Sequence, residues 1–436
     1  MLRPVTTALR HVAVDVRPLR HAPFRRLFVG QGVAFVGFQL TAVAVPVQMY
    51  AVTGSSFWVG LIGLAAFVPL VVFGLYGGSV SDAVDRRRLY LLSSLLVWVV
   101  TGALLAQALL QLDNPWLLLA LVAVQSVGFA LSSPVRGAIL PRLLPVGQVP
   151  AANTLSFTMS SAGAVVGPLL AGLILARWSY GAAYAVDAAL FTVGLYAALR
   201  LPSLPPLGRT TPPGLRSVLD GLAFIARKPV LLMSFAVDIA AMVLAMPRAL
   251  FPEAATTRFH AEGAVGWLFA AIAIGSVLGG LFSGWIGRVS RQGLALVVAV
   301  CVWGLVVALS GLSRTLWVTV ALLAVAGAAD LVSAVYRQTI LQTYAPDEMR
   351  GRMQGVFIVV VAGGPRLGDL RAGATAAAFG ATFSWVAGGI ACVLVVIGLA
   401  VAVPALVRYR KPYDADPVPA EELAAGNAVD APLESP

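Results

Sequence analysis

The stretch RGAILPRLLP at residues 136–145 has a counterpart, RQTILQTYAP, at residues 337–346. Both copies begin with arginine, carry Ile-Leu after two intervening residues and end with proline. Further matches at offsets of 201 or 202 residues follow in the same order along the chain: Pro46 with Pro247, Gly77 with Gly279, Gly78 with Gly280, Arg86 with Arg288, Gly163 with Gly364 and Gly167 with Gly368. Self-similarity at a nearly fixed offset predicts that one structural unit occurs twice.

The composition indicates that each unit is embedded in a membrane. The 436 residues are 59% hydrophobic and only 11% charged, whereas soluble domains are about 25% charged. A helix crosses the bilayer with about 20 apolar residues, and lipid cannot satisfy an open backbone. The apolar runs predict spans at residues 25–50, 56–80, 89–111, 116–136, 152–176, 181–200, 229–251, 264–287, 293–313, 316–336, 353–378 and 382–407. We therefore expect an all-α integral membrane protein with twelve transmembrane helices in two six-helix bundles.

Arginine placement predicts the orientation. Arginines cluster before the first span, in alternate loops and after the last span, while the other loops hold few. Because such residues are retained on the cytoplasmic side, we expect a multi-pass protein of the bacterial inner membrane with both termini in the cytoplasm. The same bias explains the net charge of +11, so nucleic acid is not an expected partner. The predicted divisions are an N-terminal segment (1–24), a first bundle (25–200), a linker with an amphipathic helix (201–228), a second bundle (229–410) and a disordered acidic tail (411–436).

Several chemistries are not expected. The sequence contains no phosphate-binding Walker loop, no His-Glu-x-x-His and no Gly-x-Ser-x-Gly motif. Its two cysteines lie inside apolar runs and its three histidines are dispersed, which argues against a disulfide framework and a metal centre. We expect no enzyme activity and no cofactor, with an ion gradient, the proton gradient above all, as the energy source.

Two motifs resemble signatures of the major facilitator superfamily of transporters. The first follows the second span and reads Gly78-Ser-Val-Ser-Asp82-Ala-Val-Asp85-Arg86-Arg87-Arg88, although Ala83 and Asp85 depart from the usual pattern. The second, Gly163-x3-Gly167-Pro168-x3-Gly172, is similar to the helix-five signature of drug–proton antiporters. With the runs at 337–352 and 363–369, the chain resembles an actinobacterial branch of multidrug exporters and relatives of the enterobactin (siderophore) exporter. The resemblance covers essentially the whole chain and implies the two-bundle fold.

The first motif implies a gate at the cytoplasmic face. In the family, the aspartate at the position of Asp82 caps helix eleven, here near Gly351 and Arg352, and latches the two halves together. Charge-assisted hydrogen bonds of this kind form in one state and break in the other. The alternative is that the arginines only fix the topology. The gating candidates are Gly78, Asp82, Asp85, Arg86, Arg87, Arg136, Arg337, Arg350 and Arg352.

The second motif has two readings that are compatible with each other. Glycines allow helix five to approach a neighbouring helix, and Pro168 removes a backbone donor. The functional reading is a leak-tight hinge that makes the protein exchange its substrates. The structural reading is close packing alone. The hinge candidates are Gly163, Gly167, Pro168 and Gly172.

Four carboxylates lie within predicted spans, where a charge is costly and indicates function. Asp238 is the first candidate for proton binding, since it lies near mid-span with no basic residue within one helical turn. Asp369 is three residues from Arg366 and can pair with it, whereas Asp330 is too far from Arg337 for direct contact. Asp187 is nearer the outer end of its span, and we expect it to bond a neighbouring helix, with proton coupling as the alternative. The proton-coupling candidates are Asp238, Asp369, Asp330 and Asp187, and the cavity candidates are Gln39, Gln125, Arg248 and Arg366.

These residues favour a transporter that exports small amphipathic molecules, such as drugs or siderophores, by proton antiport with alternating access. One alternative is a proton-coupled importer of a small nutrient. Another is a non-transporting membrane sensor or enzyme on the same scaffold. The expected partners are a small-molecule substrate, protons and the lipid bilayer, and we expect a monomer because two bundles complete the pathway.

Overall fold

The computed structural model describes residues 15–205, 222–261, 263–344 and 350–410, with the side chains of 75–83, 134, 138, 350–356, 358 and 359 left out. The described residues form twelve long helices: α1 (Ala22–Thr53), α2 (Ser56–Ala83), α3 (Arg86–Leu109), α4 (Pro115–Leu143), α5 (Val149–Arg177), α6 (Tyr180–Leu199), α7 (Pro229–Leu244), α8 (Ala264–Leu281), α9 (Gln292–Leu312), α10 (Leu316–Tyr344), α11 (Arg350–Phe379) and α12 (Ala381–Ala402). This confirms the predicted all-helical fold.

Eleven of the described helical segments are long and apolar enough to cross a membrane. The remaining long helix, α11, carries Arg366, Asp369 and Arg371 in its middle. Its length of 30 residues is nevertheless similar to that of its neighbours. We therefore interpret α11 as a membrane-spanning helix whose charged side chains face protein rather than lipid.

Short polar residues set the helix ends near the membrane surface. Asn114 accepts hydrogen bonds from the backbone N–H groups of Trp116 and Leu117 at the start of α4. Ser179 does the same for Ala182 at the start of α6. These side chains satisfy backbone donors that a helix leaves free at its N-terminus. From α1 to α6, connections of two to five residues then suffice, and consecutive helices run antiparallel.

The helices pack into the two predicted groups. In the first half, α1 packs on α5 and α6, α2 on α4, and α3 on α4 and α6. In the second half, α10 packs on α8 and α9, and α12 packs on α9 and α11. The two halves meet mainly where α2 packs on α11 and α5 packs on α8. A space between the halves remains along the rest of the interface.

The two repeat-related prolines have different consequences. Pro46 lies inside α1, which continues to Thr53. Its partner Pro247 follows the end of α7 at Leu244, and the chain continues as a 3-10 turn, Arg248–Leu250. The prediction of one continuous helix over 229–251 is therefore wrong, because proline removes a backbone donor and the following segment turns instead. A short helical turn and a π-helical turn, Ala254–Arg258, complete the crossing.

Parts of the predicted linker and tails cannot be compared with the structure. Residues 222–226 are helical, at the end of the predicted amphipathic segment. The linker from 206 to 221, which includes the start of that segment, lies outside the described residues, as do the first 14 residues and the tail at 411–436.

Candidate functional site

A cavity of about 970 Å³ lies between the two halves. The first half contributes aromatic and uncharged polar side chains to it: Phe38, Gln39, Thr41, Gln125, Ser126, Phe129, Phe157, Thr158 and Ser161. The second half contributes apolar side chains and all the charged ones: Met242, Met246, Arg248, Trp303, Asp330, Arg366 and Asp369. The cavity thus has an uncharged wall and a charged wall. All four predicted cavity residues line it.

Arg248 is the accessible cation of the charged wall. The 3-10 turn after Pro247 exposes it to the cavity. Asp330 and Asp369 both lie within its electrostatic range, yet Arg248 makes no ion pair or hydrogen bond to another described side chain. A guanidinium in this position offers several donors in a planar fork. It is therefore free to bind an anionic or acceptor-rich molecule.

Arg366 and Asp369 line the cavity without forming the predicted ion pair. Arg366 donates a hydrogen bond of 2.6 Å to the carbonyl of Ala362, one turn earlier on α11. Asp369 accepts the backbone N–H of Ala249, and its Oδ1 atom has no hydrogen-bond partner. The pairing prediction is wrong because each side chain is engaged by a nearby backbone group instead.

Asp238 is not the isolated carboxylate that the sequence predicted. It forms an ion pair with Arg337 of α10, and the two side chains are only 2% and 4% exposed. Arg337 also lies 3.7 Å from Asp330, so the prediction that these two are too far apart is wrong. Helical side chains lean toward the helix N-terminus, which lets the long arginine reach back along α10. Arg337 therefore joins two carboxylates inside the second half and is not exposed at its cytoplasmic rim.

Asp187 is the buried carboxylate of the first half, and its setting is different. It is 1% exposed on α6 and accepts a hydrogen bond of 2.5 Å from the Thr41 hydroxyl of α1. Thr101 of α3 lies 3.5 Å from the same oxygen, Oδ2. The prediction that Asp187 bonds neighbouring helices is confirmed. No described cation pairs with it, and its Oδ1 atom has no partner.

The glycines of helix five divide between two contacts. A Cβ at Gly163 would lie 2.7 Å from the Phe35 ring, and one at Gly167 would meet Gln39, so both glycines pack α5 on α1 within the first half. Gly172 instead faces the other half, where a Cβ would lie 2.8 Å from the Cα of Gly266. Pro168 lines the cavity between them. The motif thus contains two glycines that pack helices within the first half and one glycine that contacts the second half.

The halves are in contact at the end of the bundle where α2 begins and α5 ends. A Cβ at Gly60 of α2 would lie 2.7 Å from the carbonyl oxygen of Asp369. The Ser56 hydroxyl donates a hydrogen bond to Glu253 across the same end. Near the opposite end, a Cβ at Gly74 of α2 would meet no described atom within 4 Å. The cavity lining also extends to Leu281, the last residue of α8, so the cavity opens toward the end that carries the N-terminus.

The described gating candidates bind the linker and neighbouring helices. Asp85 caps α3 by accepting the N–H of Arg87, and it also accepts the Ser203 hydroxyl at 2.6 Å and the Leu204 N–H at 3.3 Å. Hydrogen bonds, chiefly from Ser203, hold the pKa of Asp85 below its ordinary value of 3.8. Arg87 donates to the carbonyl of Leu199. These contacts stay within the first half and its linker, so they form a clip around residues 199–205.

The other gating candidates are described to different extents. The backbone N–H of Arg86 donates to Leu204, which adds to the clip. Arg136 lies over the Phe129 ring at 5.6 Å. Gly78 and Asp82 are described only as helical backbone of α2, and Arg350 and Arg352 as backbone of α11; their side chains lie outside the described residues.

Arg371 is an important residue that the sequence analysis missed. From α11 it donates hydrogen bonds to the carbonyls of Val243, at 3.2 Å, and of Leu244. A third bond of 3.2 Å goes to the carbonyl of Ser384 on α12. The break after Leu244 leaves helix carbonyls without their usual donors, and Arg371 replaces those donors. An arginine in the middle of a predicted span was the available signal.

The described residues contain no group of three His, Cys, Asp or Glu side chains arranged as a metal site would require. The polar groups of the cavity are guanidinium, carboxylate, amide and hydroxyl groups on two facing walls. This arrangement can bind a molecule that has both aromatic and ionisable parts.

Sequence comparison places the chain among membrane exporters. A family described as transmembrane secretion effector matches residues 13–430. The enterobactin exporter EntS of Shigella boydii serotype 18 is 30% identical over 405 residues, which cover 90% of this chain and 94% of that protein. The EntS protein of Escherichia coli O139:H28 shows the same identity and coverage.

Solved structures share the fold at lower identity. The nucleoside transporter NupG has a TM-score of 0.69 at 15% identity, with 89% of this chain and all of that chain covered. A bacterial homologue of the human lysosomal transporter Spinster, in an inward-facing and unoccupied conformation, has a TM-score of 0.68 at 15% identity, covering 90% and 97% of the two chains. These likenesses agree with the two six-helix bundles described above.

Proposed function

Because this chain belongs to the transmembrane secretion effector family of the major facilitator superfamily, we propose that it exports small amphipathic molecules from the cytoplasm in exchange for protons. The full-length relatives are enterobactin exporters, so siderophore-like molecules are the first substrate class. The protein acts by alternating access, as a monomer and without an enzyme activity of its own.

The two-walled cavity is the observation that carries this proposal. Its uncharged wall offers Phe38, Phe129 and Phe157 to aromatic rings, which pack favourably on other rings. Its charged wall offers Arg248, which has no described partner and can donate two parallel hydrogen bonds to a carboxylate or to vicinal oxygens. A substrate with aromatic groups and ionisable oxygens, as in a catechol siderophore, meets both walls at once.

The orientation of the cavity supports export. The arginine-rich loops lie at the end where the cavity opens, and positive residues are retained in the cytoplasm. The described state then admits substrate from the cytoplasm, while Gly172 with Gly266 and Ser56 with Glu253 close the outer end. Rocking of one half against the other would open that end and close the inner one.

Proton coupling is supported by the carboxylates inside the bundle. The sequence has no phosphate-binding loop, so a gradient is the energy source, at about 2.3 kcal/mol per charge per 100 mV. Asp330 and Asp369 share the charged wall with Arg248. Protonation of either carboxylate changes the field at Arg248, and this links proton binding to the binding of an anionic substrate.

Uptake of enterobactin into everted membrane vesicles tests the proposal. Respiring everted vesicles acidify their interior, so wild type should accumulate enterobactin and a protonophore should abolish the accumulation. Arg248→Ala should reduce the uptake by about tenfold or more, since a hydrogen bond to a charged group contributes about 1.5–3 kcal/mol. Arg200→Ala is the matched control, because Arg200 lies over Tyr196 outside the cavity.

Two results would contradict the proposal. Accumulation in right-side-out vesicles and not in everted ones would indicate import. Equal uptake by wild type and Arg248→Ala would show that the charged wall does not bind the substrate, even if enterobactin is exported.

A further inference from the structure

We propose that Asp187, Thr41 and Thr101 form a proton-binding site in the first half that exchanges protons with the central cavity through the Thr41 hydroxyl. The use of this site in transport rests on the proposed export function. The site itself follows from the packing of α1, α3 and α6. This proton would then bind inside the first half, whereas the substrate would bind in the cavity between the two halves.

The geometry provides hydroxyl partners on one side of the carboxylate only. Thr41 donates to Oδ2 of Asp187 at 2.5 Å. The Thr101 hydroxyl lies 3.5 Å from Oδ2 and also donates to the carbonyl of Val97 at 3.1 Å, so its support is divided. Oδ1 has no hydrogen-bond partner and faces Gly37, where a Cβ would overlap it. One carboxylate oxygen is therefore buried with no described donor.

The surroundings of Asp187 contain no compensating charge. From α1 it meets Thr41 and Gly37, and from α3 it meets Thr101. On its own helix the nearest titratable group is Tyr184, whose hydroxyl donates to Gln48 at 2.8 Å. No described lysine, arginine or histidine makes an ion pair with it. A buried, unpaired carboxylate costs several kcal/mol, and binding one proton removes that charge.

Thr41 connects this pocket to the cavity. Its side chain is 2% exposed, yet it belongs to the cavity lining on one side and bonds Asp187 on the other. In the exchange, the Thr41 hydroxyl passes its proton to Oδ2 of Asp187 while its oxygen takes a proton from a hydronium ion in the cavity. The hydronium ion becomes water, the Thr41 hydroxyl is restored and Asp187 gains one proton. The reverse steps release the proton.

In the second half, the described carboxylate with the most similar burial has a different partner. Asp238 has a similar burial but is paired with Arg337, so its charge is already compensated and a proton gains little there. This contrast makes Asp238→Asn the matched control for Asp187→Asn. Both substitutions keep the shape of the side chain and remove one ionisable group from α7 or α6.

Infrared spectroscopy of the purified protein in lipid nanodiscs tests the site without any substrate. The carbonyl stretch of a protonated carboxyl group is distinct from the bands of a carboxylate. The difference between wild type and Asp187→Asn should contain such a band, and the band should disappear as the pH is raised. Asp238→Asn should retain it. A difference spectrum with no protonated carboxyl band at any pH at which the protein is folded would overturn the proposal.

The Thr41 variants decide the question even if Asp187→Asn does not fold. Thr41→Val removes the hydrogen bond to the carboxyl group, so the carbonyl stretch should move to higher frequency, and Thr41→Ser should restore its position. Identical bands in Thr41→Val and wild type would show that Thr41 does not serve Asp187. Because no substrate is present, these results are independent of whether enterobactin is exported. In transport, Asp187→Asn should keep enterobactin exchange and lose accumulation driven by a pH gradient.

Discussion

The two halves of the molecule treat a buried carboxylate in opposite ways. In the first half, Asp187 is held by hydroxyl groups of Thr41 and Thr101 with no cation. In the second half, Asp238 is held by the guanidinium of Arg337. The first arrangement leaves the carboxylate able to bind and release a proton, whereas the second fixes its charge. Two copies of one structural unit therefore differ in whether the buried carboxylate can bind a proton or is paired with a cation.

The same contrast extends through the rest of each half. The first half buries an uncharged network in which Gln48 and Gln107 exchange hydrogen bonds of 3.0 and 3.2 Å. The second half buries Arg337, and the half-buried Arg371 holds the broken end of α7. Uncharged networks tolerate the loss of one partner better than buried charges do, because an unpaired charge has the larger desolvation cost. The second half should therefore be the more sensitive to single substitutions.

The largest expected effect is at Arg337. Arg337→Leu leaves Asp238 buried without a cation, which should lower the free energy of unfolding by about 3–5 kcal/mol. Denaturant titration of the purified protein in detergent measures the change. The double variant Arg337→Leu with Asp238→Leu should recover most of the loss, because it removes both charges. Asp187→Asn is the comparison from the first half and should not lower the free energy of unfolding, since it removes a buried charge that has no cation partner.

If Arg337→Leu is as stable as wild type, the ion pair is not what holds α7 to α10. If the double variant is no better than the single one, lost packing is responsible for the effect.

The next effect in size is expected at Arg371. Arg371→Met keeps much of the side-chain volume and removes the donors to Val243, Leu244 and Ser384. Each hydrogen bond to a charged group contributes about 1.5–3 kcal/mol, so the total loss should exceed that of one such bond. Arg366→Met on the same helix is the control, because among the described groups Arg366 donates to Ala362 within α11 and to no other helix. Equal losses in the two variants would show that the break in α7 does not need Arg371.

A smaller effect is expected at the helix-five glycines. Comparing a glycine that packs within one half with a glycine that contacts the other half distinguishes a packing role from a gating role. Gly172→Ala places a methyl group 2.8 Å from the backbone of Gly266 in the other half. Such overpacking costs about 1–3 kcal/mol, and the cost falls only on states in which this end is closed. Gly163→Ala meets the ring of Phe35 within the same half, so it should leave the equilibrium between the states unchanged. Spin-label distances across the outer end measure the populations, and identical distributions for the two variants would reject the gating role of Gly172.

Much of the fold was predictable because its signals are local in sequence. The spans follow from apolar runs and the two bundles from the offset of 201 residues, and the intramembrane charges stand out against alanine and valine. The partners of those charges were not predictable, because they depend on how helices pack. Thr41 and Asp187 are 146 residues apart, and Arg337 reaches Asp238 from a different helix. The break at Pro247 was also hidden, since its repeat partner Pro46 lies in an unbroken helix.

The smallest expected effect is at Asp85, outside the membrane. Its hydrogen bonds from Ser203 and the backbone hold its pKa below the ordinary value of 3.8. A carboxylate whose pKa is lowered in the folded state stabilises that state above the unfolded pKa, and the contribution is lost as the pH falls through the folded pKa. The clip around residues 199–205 should therefore be intact at neutral pH and weaken only below about pH 3.8. Asp85→Asn should speed exchange of the Leu204 amide hydrogen at neutral pH by less than about tenfold, because a partly exposed interaction of this kind contributes at most about 1 kcal/mol. Unchanged exchange would show that the backbone hydrogen bond from Arg86 to Leu204 holds the linker without the carboxylate. The linker contact would then depend on uncharged groups, as the buried network of the first half does.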